Sequence, residues 1–287
     1  MRDVYVGRRK CSNTSVEVAL PDEGLANYRS QAQRTRVATE NWARRSLYCP
    51  NCESPTLKPS RPNTPAVDYF CPDCSVPFQL KAQSRPFSRR IVDAAYGSMV
   101  RAIQENRTPN LFALHYDASE WAVVDVILIP SFAFPLSAIE RRRPLGPSAR
   151  RAGWVGCNIL LHVIPADARI PIVIAGAALP PQGVRSQYAR IRPLAKLDAR
   201  QRGWTLDVLN VIRSLRKDGF SLRDVYSSED GLARLHPANR HVRDKIRQQL
   251  QVLRDLGILE FLGRGQYRIL QSGQPVLAGR LQNADKF

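Results

Sequence analysis

Acidic residues are scarce in this chain: 25 Asp and Glu stand against 43 Lys and Arg in 287 residues, a net charge of +18. That imbalance concerns partners rather than fold and points to a polyanion, most often nucleic acid. A basic soluble protein with no such partner is the plain alternative. Long hydrophobic runs are also missing. The longest, WAVVDVILIPSFAFPL at 121–136, is interrupted by Asp125 and Pro130. It is too short and too broken to span a bilayer and reads as core strands, so no membrane partner is expected. The opening MRDVYVGRRKCSNTSVEVAL lacks the continuous apolar stretch of a secretory signal, which predicts a cytoplasmic location. Internal repeats are absent. Cysteines are few, six in all, and four of them fall in two close pairs. In a reducing compartment such clustering favours metal over disulfides.

The pairs follow the pattern Cys49-x2-Cys52-x18-Cys71-x2-Cys74. Each Cys-x-x-Cys turn offers two thiolates, with Pro50 and Pro72 helping to hold the turns. Two such knuckles at this separation form a zinc signature. Four thiolates close a tetrahedral shell and leave no open position, so the expected Zn²⁺ is structural. Cys11 and Cys157 read as ordinary thiols.

The same segment holds a second chemistry. Asp68 lies three residues before Cys71, and Gln79-Leu80-Lys81 begins five after Cys74. Phosphodiester cleavage needs an activated water and stabilisation of charge at phosphorus. Mg²⁺ held by carboxylates supplies much of both, and a nearby Lys adds positive charge. Residues i and i+2 of a strand project to one face. Gln79 and Lys81 therefore share a face of a strand at 76–82, with Asp68 on the preceding strand at 66–70. A zinc-clamped connection between the two strands would hold their register. In isolation the pattern also fits an exposed polar hairpin.

Residues 29–45 read as a basic helix leading into the first knuckle. Residues 88–106 read as an amphipathic helix capped by Ser88, with Ile91, Ala95, Met99 and Ile103 at spacing four. Strand-like runs follow at 110–116, 121–129 and 170–175. The mixture predicts an α+β fold. A Pro- and Arg-rich stretch at 179–203 places a boundary near 195, giving domains 1–195 and 196–287. The second domain reads as three helices, within 203–215, 221–227 and 239–257, followed by a strand, a Gly-Arg-Gly turn and a strand. That is a winged helix-turn-helix with basic Arg264 at the wing tip. Val242, Ile246, Leu250 and Leu253 form the inner stripe of its third helix, which Gly257 ends. The opposite face presents Arg240, His241, Asp244, Arg247, Gln248 and Gln251, side chains suited to a major groove. A solvated face of a protein-binding winged helix is the alternative. The tail after 270 reads as loose.

From about residue 28 to 270 the chain resembles the DpnI family of methyl-directed restriction endonucleases, also described as the Dam-replacing family. The stretches carrying the resemblance are RVATENWARRSLYCPNC, LGPSARRAGWVGCNI, RGWTLDVLNVI and KIRQQLQVLRDLGILEFLGRGQYR. The resemblance implies a PD-(D/E)xK catalytic domain with a four-cysteine zinc site, followed by a winged helix. It also implies Mg²⁺-dependent type II cleavage of double-stranded DNA at GATC whose adenine is N6-methylated, both domains reading the methylated site. Asp68 and Lys81 match the family's catalytic Asp and Lys, and Cys49, Cys52, Cys71 and Cys74 its zinc ligands. Trp154, beside Arg150 and Arg151, matches the aromatic that senses the methyl groups; a core anchor is its alternative role. Gln79 departs from the family's Glu and removes one negative charge. Glu40, in ATENW, is a candidate for supplying it. A monomer is expected. The rivals are a methyl-DNA binding protein without turnover and a zinc-ribbon and winged-helix transcription regulator.

Overall fold

Asn110 to Tyr116 are buried without a break, which only a strand covered on both faces requires. This segment is the middle of the larger sheet. The computed structural model describes residues 18–62 and 64–270; Cys11 and the tail expected to be loose lie outside them. The first part of the chain contains α1 (Gln31–Ser46), β1 (Lys58–Pro59), β2 (Tyr69–Phe70), β3 (Pro77–Gln83), β4 (Arg90–Ala95), α2 (Tyr96–Gln104), β5 (Asn110–Asp117), β6 (Ala122–Ile129), β7 (Ile139–Arg141), β8 (Gly156–Leu160), β9 (Ile170–Ile174), β10 (Ala177–Ala178) and α3 (Pro181–Ile191). The second part contains α4 (Ala199–Ser214), β11 (Gly219–Ser221), α5 (Leu222–Tyr226), α6 (Glu229–Leu235), α7 (Val242–Asp255), β12 (Leu259–Gly263) and β13 (Gln266–Ile269). The fold is α+β, as the sequence predicts.

The larger sheet runs β1-β2-β3-β5-β6-β9-β10. Only β3 and β5 are parallel, with Gln79 beside Leu111 and Lys81 beside Ala113. A parallel pair needs a long connection, and β4 and α2 provide it. α1 covers one face of β3 with buried Ala38, Trp42 and Ala43. Phe78 stacks on Phe112 with ring centroids 5.1 Å apart. Asn110 is fully buried and satisfied: its amide donates to Pro77 O, while its Oδ1 accepts from Ser131 N and Tyr188 Oη. It thereby ties the start of β3 to β5.

Two expectations need correction. The strand expected at 66–70 is only Tyr69–Phe70, because Ala66 takes a left-handed φ of 58° and turns the chain. Asp68 thus sits at the mouth of β2, although its N–H still donates to Phe78 O. The helix expected at 88–106 begins only at Tyr96. Residues 90–95 are strand, with Ile91 and Asp93 inward and Arg90 and Val92 outward. Pairing with β8, Ile91 to Ile159 and Asp93 to Cys157, outweighs the helical spacing. Ser88 is not a cap; Ala95 precedes α2 and makes no side-chain capping bond. β4, β8 and β7 form a second, antiparallel sheet.

The second part builds its own core from Trp204, Val208, Leu209, Ile212, Phe220, Val225, Leu232 and the inner stripe of α7. Ser221 opens α5 through a reciprocal capping box with Asp224. Gly257, at φ 70°, ends α7. The wing turn places Gly263, Arg264 and Gly265 at φ 91°, 49° and 72°, so Arg264 is held in a conformation that glycine prefers. Sequence periodicity gave no sign of α6 or of β11, which joins the wing as a third strand. α4 serves both parts: Leu206 packs into the first core, the rest of its apolar face into the second. Polar bonds tie the same junction, with Ser137 Oγ donating to Asp207 Oδ1 at 2.6 Å and Arg202 to Asn106 Oδ1 at 2.6 Å.

Candidate active site and DNA-reading surfaces

The four cysteines converge. The first knuckle follows directly on α1, and the second occupies the connection between β2 and β3. All four Sγ atoms lie within 4.8 Å of one another. Across the knuckles, Cys49 and Cys74 are 3.6 Å apart and Cys52 and Cys71 3.5 Å. A tetrahedral thiolate shell at ≈ 2.3 Å metal–sulfur distance implies about 3.8 Å between sulfurs. The cluster can therefore hold a metal such as zinc. Burial raises the pKa of the Cys49 thiol. Burial also disfavours the Cys71 thiolate, but hydrogen bonds from the backbone N–H groups of Cys74 and Asp73 and from the Cys52 and Cys74 thiols together outweigh it and lower Cys71 to about 6. Sequence reasoning missed Arg185 of α3. Its Nε donates to Cys49 O at 3.1 Å and Cys52 O at 2.9 Å, and its guanidinium lies 5.3 Å from the Tyr48 ring centroid. No local pattern connects residue 185 to a knuckle more than 130 positions earlier.

Asp68 is drawn to the middle of the Gln-x-Lys triplet. Its Oδ2 accepts the N–H of Leu80 at 2.8 Å. It also lines a cleft of about 370 Å³ with Arg36, Thr39, Glu40, Leu80, Ala82 and Tyr116. Glu40 is thus brought to the same cleft as Asp68. Its charge is already shared, since Arg36 Nε donates to Glu40 Oε1 at 2.7 Å. That contact, with Asp68 adding to it, raises the pKa of Arg36.

Gln79 and Lys81 share a face of β3, as their spacing predicts, and both meet a carboxylate that sequence reasoning did not single out. Gln79 Nε2 donates to Asp93 Oδ1 at 3.3 Å, and Lys81 Nζ lies 2.9 Å from the same oxygen. The Asp93 side chain is 1% exposed and that of Lys81 31%. Asp93 was hidden by the helical reading of 88–106; on that helix it would have been one more polar residue. The alternation Ile91-Val92-Asp93 was the available signal.

Trp154 closes the loop before β8. The loop is pinned by Leu145 N donating to Trp154 O and Gly153 N to Leu145 O, at 2.9 and 3.0 Å. The indole is half-buried and lies outside both cores. Arg151 stands 5.0 Å from its ring centroid. A Cβ at Gly156 would come within 2.8 Å of the indole, so only glycine lets Trp154 sit where it does. Arg150 and Arg151 are exposed beside it.

Arg240 and His241, just before α7, and Asp244, Arg247, Gln248 and Gln251 on it are all exposed, and so is Arg264 on the wing. Arg247 pairs with Asp244 and donates to Tyr226 Oη at 2.9 Å. Gln248 accepts from Lys245 at 2.7 Å. No helix among the described residues is long and apolar enough to cross a membrane.

The Dam-replacing family (DpnI) matches residues 17–197 of this sequence, and the Dam-replacing HTH domain matches residues 200–269. The first match holds the cysteine cluster, the Asp68 cleft and β3, the second the winged helix, and the chain belongs to the Dam-replacing family.

Proposed function

We propose that the protein is a methyl-directed type II restriction endonuclease that cuts double-stranded DNA at GATC carrying N6-methyladenine. One observation carries the reaction class: the Asp68 carboxylate is bonded to the backbone of Leu80, between Gln79 and Lys81. Asp68 is thereby fixed against the strand that carries Gln79 and Lys81, and a carboxylate, an amide oxygen and an ammonium are the groups metal-assisted phosphodiester cleavage uses. A bound Mg²⁺ supplies water activation and charge neutralisation in such sites. Asp68 would hold it at the edge of β3; Glu40 lines the Asp68 cleft with Leu80 and Ala82, while Gln79 and Lys81 lie on the opposite face of the strand beside Asp93. Lys81 places positive charge where negative charge develops at phosphorus. Zn²⁺ in the cysteine cluster is structural: it fixes the connection between β2 and β3, and hence Asp68 relative to Gln79. The sequence boundary near 195 divides this catalytic part from a winged helix that reads DNA through α7 and Arg264, while Trp154 senses the methyl groups. The enzyme acts as a cytoplasmic monomer.

The decisive experiment digests methylated and unmethylated plasmid with Mg²⁺. Cleavage confined to methylated GATC is expected, and intact plasmid in both arms overturns the reading. A second reading, a methyl-DNA binding protein without turnover, is favoured by Gln79 being neutral and Lys81 being engaged by Asp93. Its signature is a gel shift on methylated duplex with no cleavage at any Mg²⁺ concentration.

A further inference from the structure

Asp93 reaches Gln79 and Lys81 from another sheet, and it meets both through one oxygen. A carboxylate buried at 1% exposure, with an amide and an ammonium on the same oxygen, has consequences for both partners. An ionised carboxylate only accepts hydrogen bonds. The Gln79 amide must therefore turn its NH₂ toward Asp93, and the planar group leaves Oε1 on the far side. Oε1 is the only atom of this side chain able to ligate a cation. Without an anionic partner the amide is free to flip and offer NH₂, which repels a metal. The same oxygen holds the Lys81 ammonium at 2.9 Å and restricts a side chain with many rotamers.

We propose that Asp93 is a positioning residue of the reaction site: its buried carboxylate takes the NH₂ end of Gln79, leaving Oε1 as the end of the amide free to ligate a cation, and fixes Lys81. The inference rests on the nuclease reading and deepens it. Groups that orient a ligand typically change metal affinity or activity by roughly 10–100-fold when removed.

The test uses the full-length, zinc-loaded protein and compares wild type, Asp93→Asn and the exchanged pair Asp93→Asn/Gln79→Glu. Single-turnover cleavage of a methylated GATC duplex is followed across a range of Mg²⁺. Metal-free binding to the same duplex, zinc content and melting temperature are measured alongside. Asp93→Asn can present either end of its own amide, so Gln79 loses its fixed orientation. The expected result is a cleavage rate lower by roughly 10–100-fold or a Mg²⁺ requirement raised by a similar factor, with DNA affinity and zinc content unchanged. The exchanged pair restores one amide–carboxylate contact with the donor reversed, and part of the lost activity returns. Wild-type cleavage and Mg²⁺ requirement in Asp93→Asn overturn the inference while leaving the nuclease reading intact. Should Asp93→Asn fail to fold, the exchanged pair decides: folding with cleavage supports the inference, whereas folding without cleavage, or renewed failure to fold, assigns Asp93 a purely structural role. If wild type itself does not cleave, both readings fall.

Discussion

On β3, the candidate residue Gln79 is buried, and the buried Asp93 carboxylate holds both Gln79 and Lys81. At α7 and the wing, the candidate reading side chains are all exposed and make few bonds, such as those of Arg247 with Asp244 and Tyr226. The contrast separates two tasks. Reacting groups must hold their geometry before substrate arrives, so they are buried and paired, and an unpaired polar group there is costly. Groups that read bases and phosphates must give up water to DNA and adapt to it, so they gain nothing from burial beforehand. The cysteine cluster belongs to the first strategy. It stands between α1 and β3, where Cys49 and Cys71 are buried in the core of the first part of the chain.

The strongest way to break this contrast is to remove the metal shell. Metal binding to structural four-ligand sites is worth roughly 10–16 kcal/mol in small peptides at neutral pH. That exceeds or matches the whole stability of an ordinary domain, roughly 5–15 kcal/mol. Cys71→Ser should therefore abolish cooperative folding of the part around β3, with zinc lost from the purified chain. The winged helix has a core of its own and should keep its helical signal. Elemental analysis with circular dichroism checks this, and a well-folded, zinc-free wild type would refute it.

Next come the reacting groups. Asp68→Ala and Lys81→Ala should each lower cleavage by about 10²–10³-fold or more, since each removes a charge preorganised for the reaction. Affinity for methylated duplex should change by no more than a few-fold, because binding draws on the exposed basic surface. Cleavage kinetics and gel shifts on the same preparations separate the two effects. Wild-type cleavage by either variant would dissolve the division between a buried chemical half and an exposed reading half.

Much of this arrangement was legible in the chain because its signals are local. The cysteine spacing, the Gln-x-Lys alternation, the inner stripe of α7 and the Gly-Arg-Gly wing each lie within a few turns or one strand. What escaped was set by distant partners. Residues 90–95 carry apolar spacing compatible with a helix, and only pairing with β8, more than 60 residues away, makes them a strand. Asp93 was lost with that misreading. Arg185 reaches the first knuckle from α3, and α6 is too short for periodicity to declare it. Ala66 turns the chain before Asp68 at a position with no glycine to mark it.

Trp154 stands between the two strategies, half-buried and unpaired except for Arg151. Desolvating one methyl group is worth roughly 1 kcal/mol, about fivefold in affinity. Two methyls in a palindromic site multiply to about 25-fold if both are sensed. Trp154→Ala should narrow discrimination between methylated and unmethylated GATC by up to that factor while the protein stays folded, because the indole belongs to neither core. Gly156→Ala should act in the same direction by displacing the ring it supports. Competition binding with the two duplexes checks both. Unchanged discrimination in a folded Trp154→Ala would remove the indole as sensor, and unfolding would restore the core-anchor role.

The smallest effect is expected at the wing. Arg264 is exposed, and its backbone is held at φ 49° between two glycines, which fixes where its side chain leaves the turn. A cation presented this way suits a phosphate rather than a base edge, because a point contact on the backbone needs position but no pattern of donors. Arg264→Ala should then weaken binding to methylated and unmethylated duplex equally. It should also reduce the slope of log affinity against log salt by about one, the amount for one lost phosphate contact. Arg264→Gly, which relieves the left-handed strain but also removes the charge, should show the same reduced slope with no loss of stability. If instead Arg264→Ala loses preference for methylated GATC at constant salt slope, the wing reads sequence, and part of the specificity assigned to α7 and Trp154 moves to the turn.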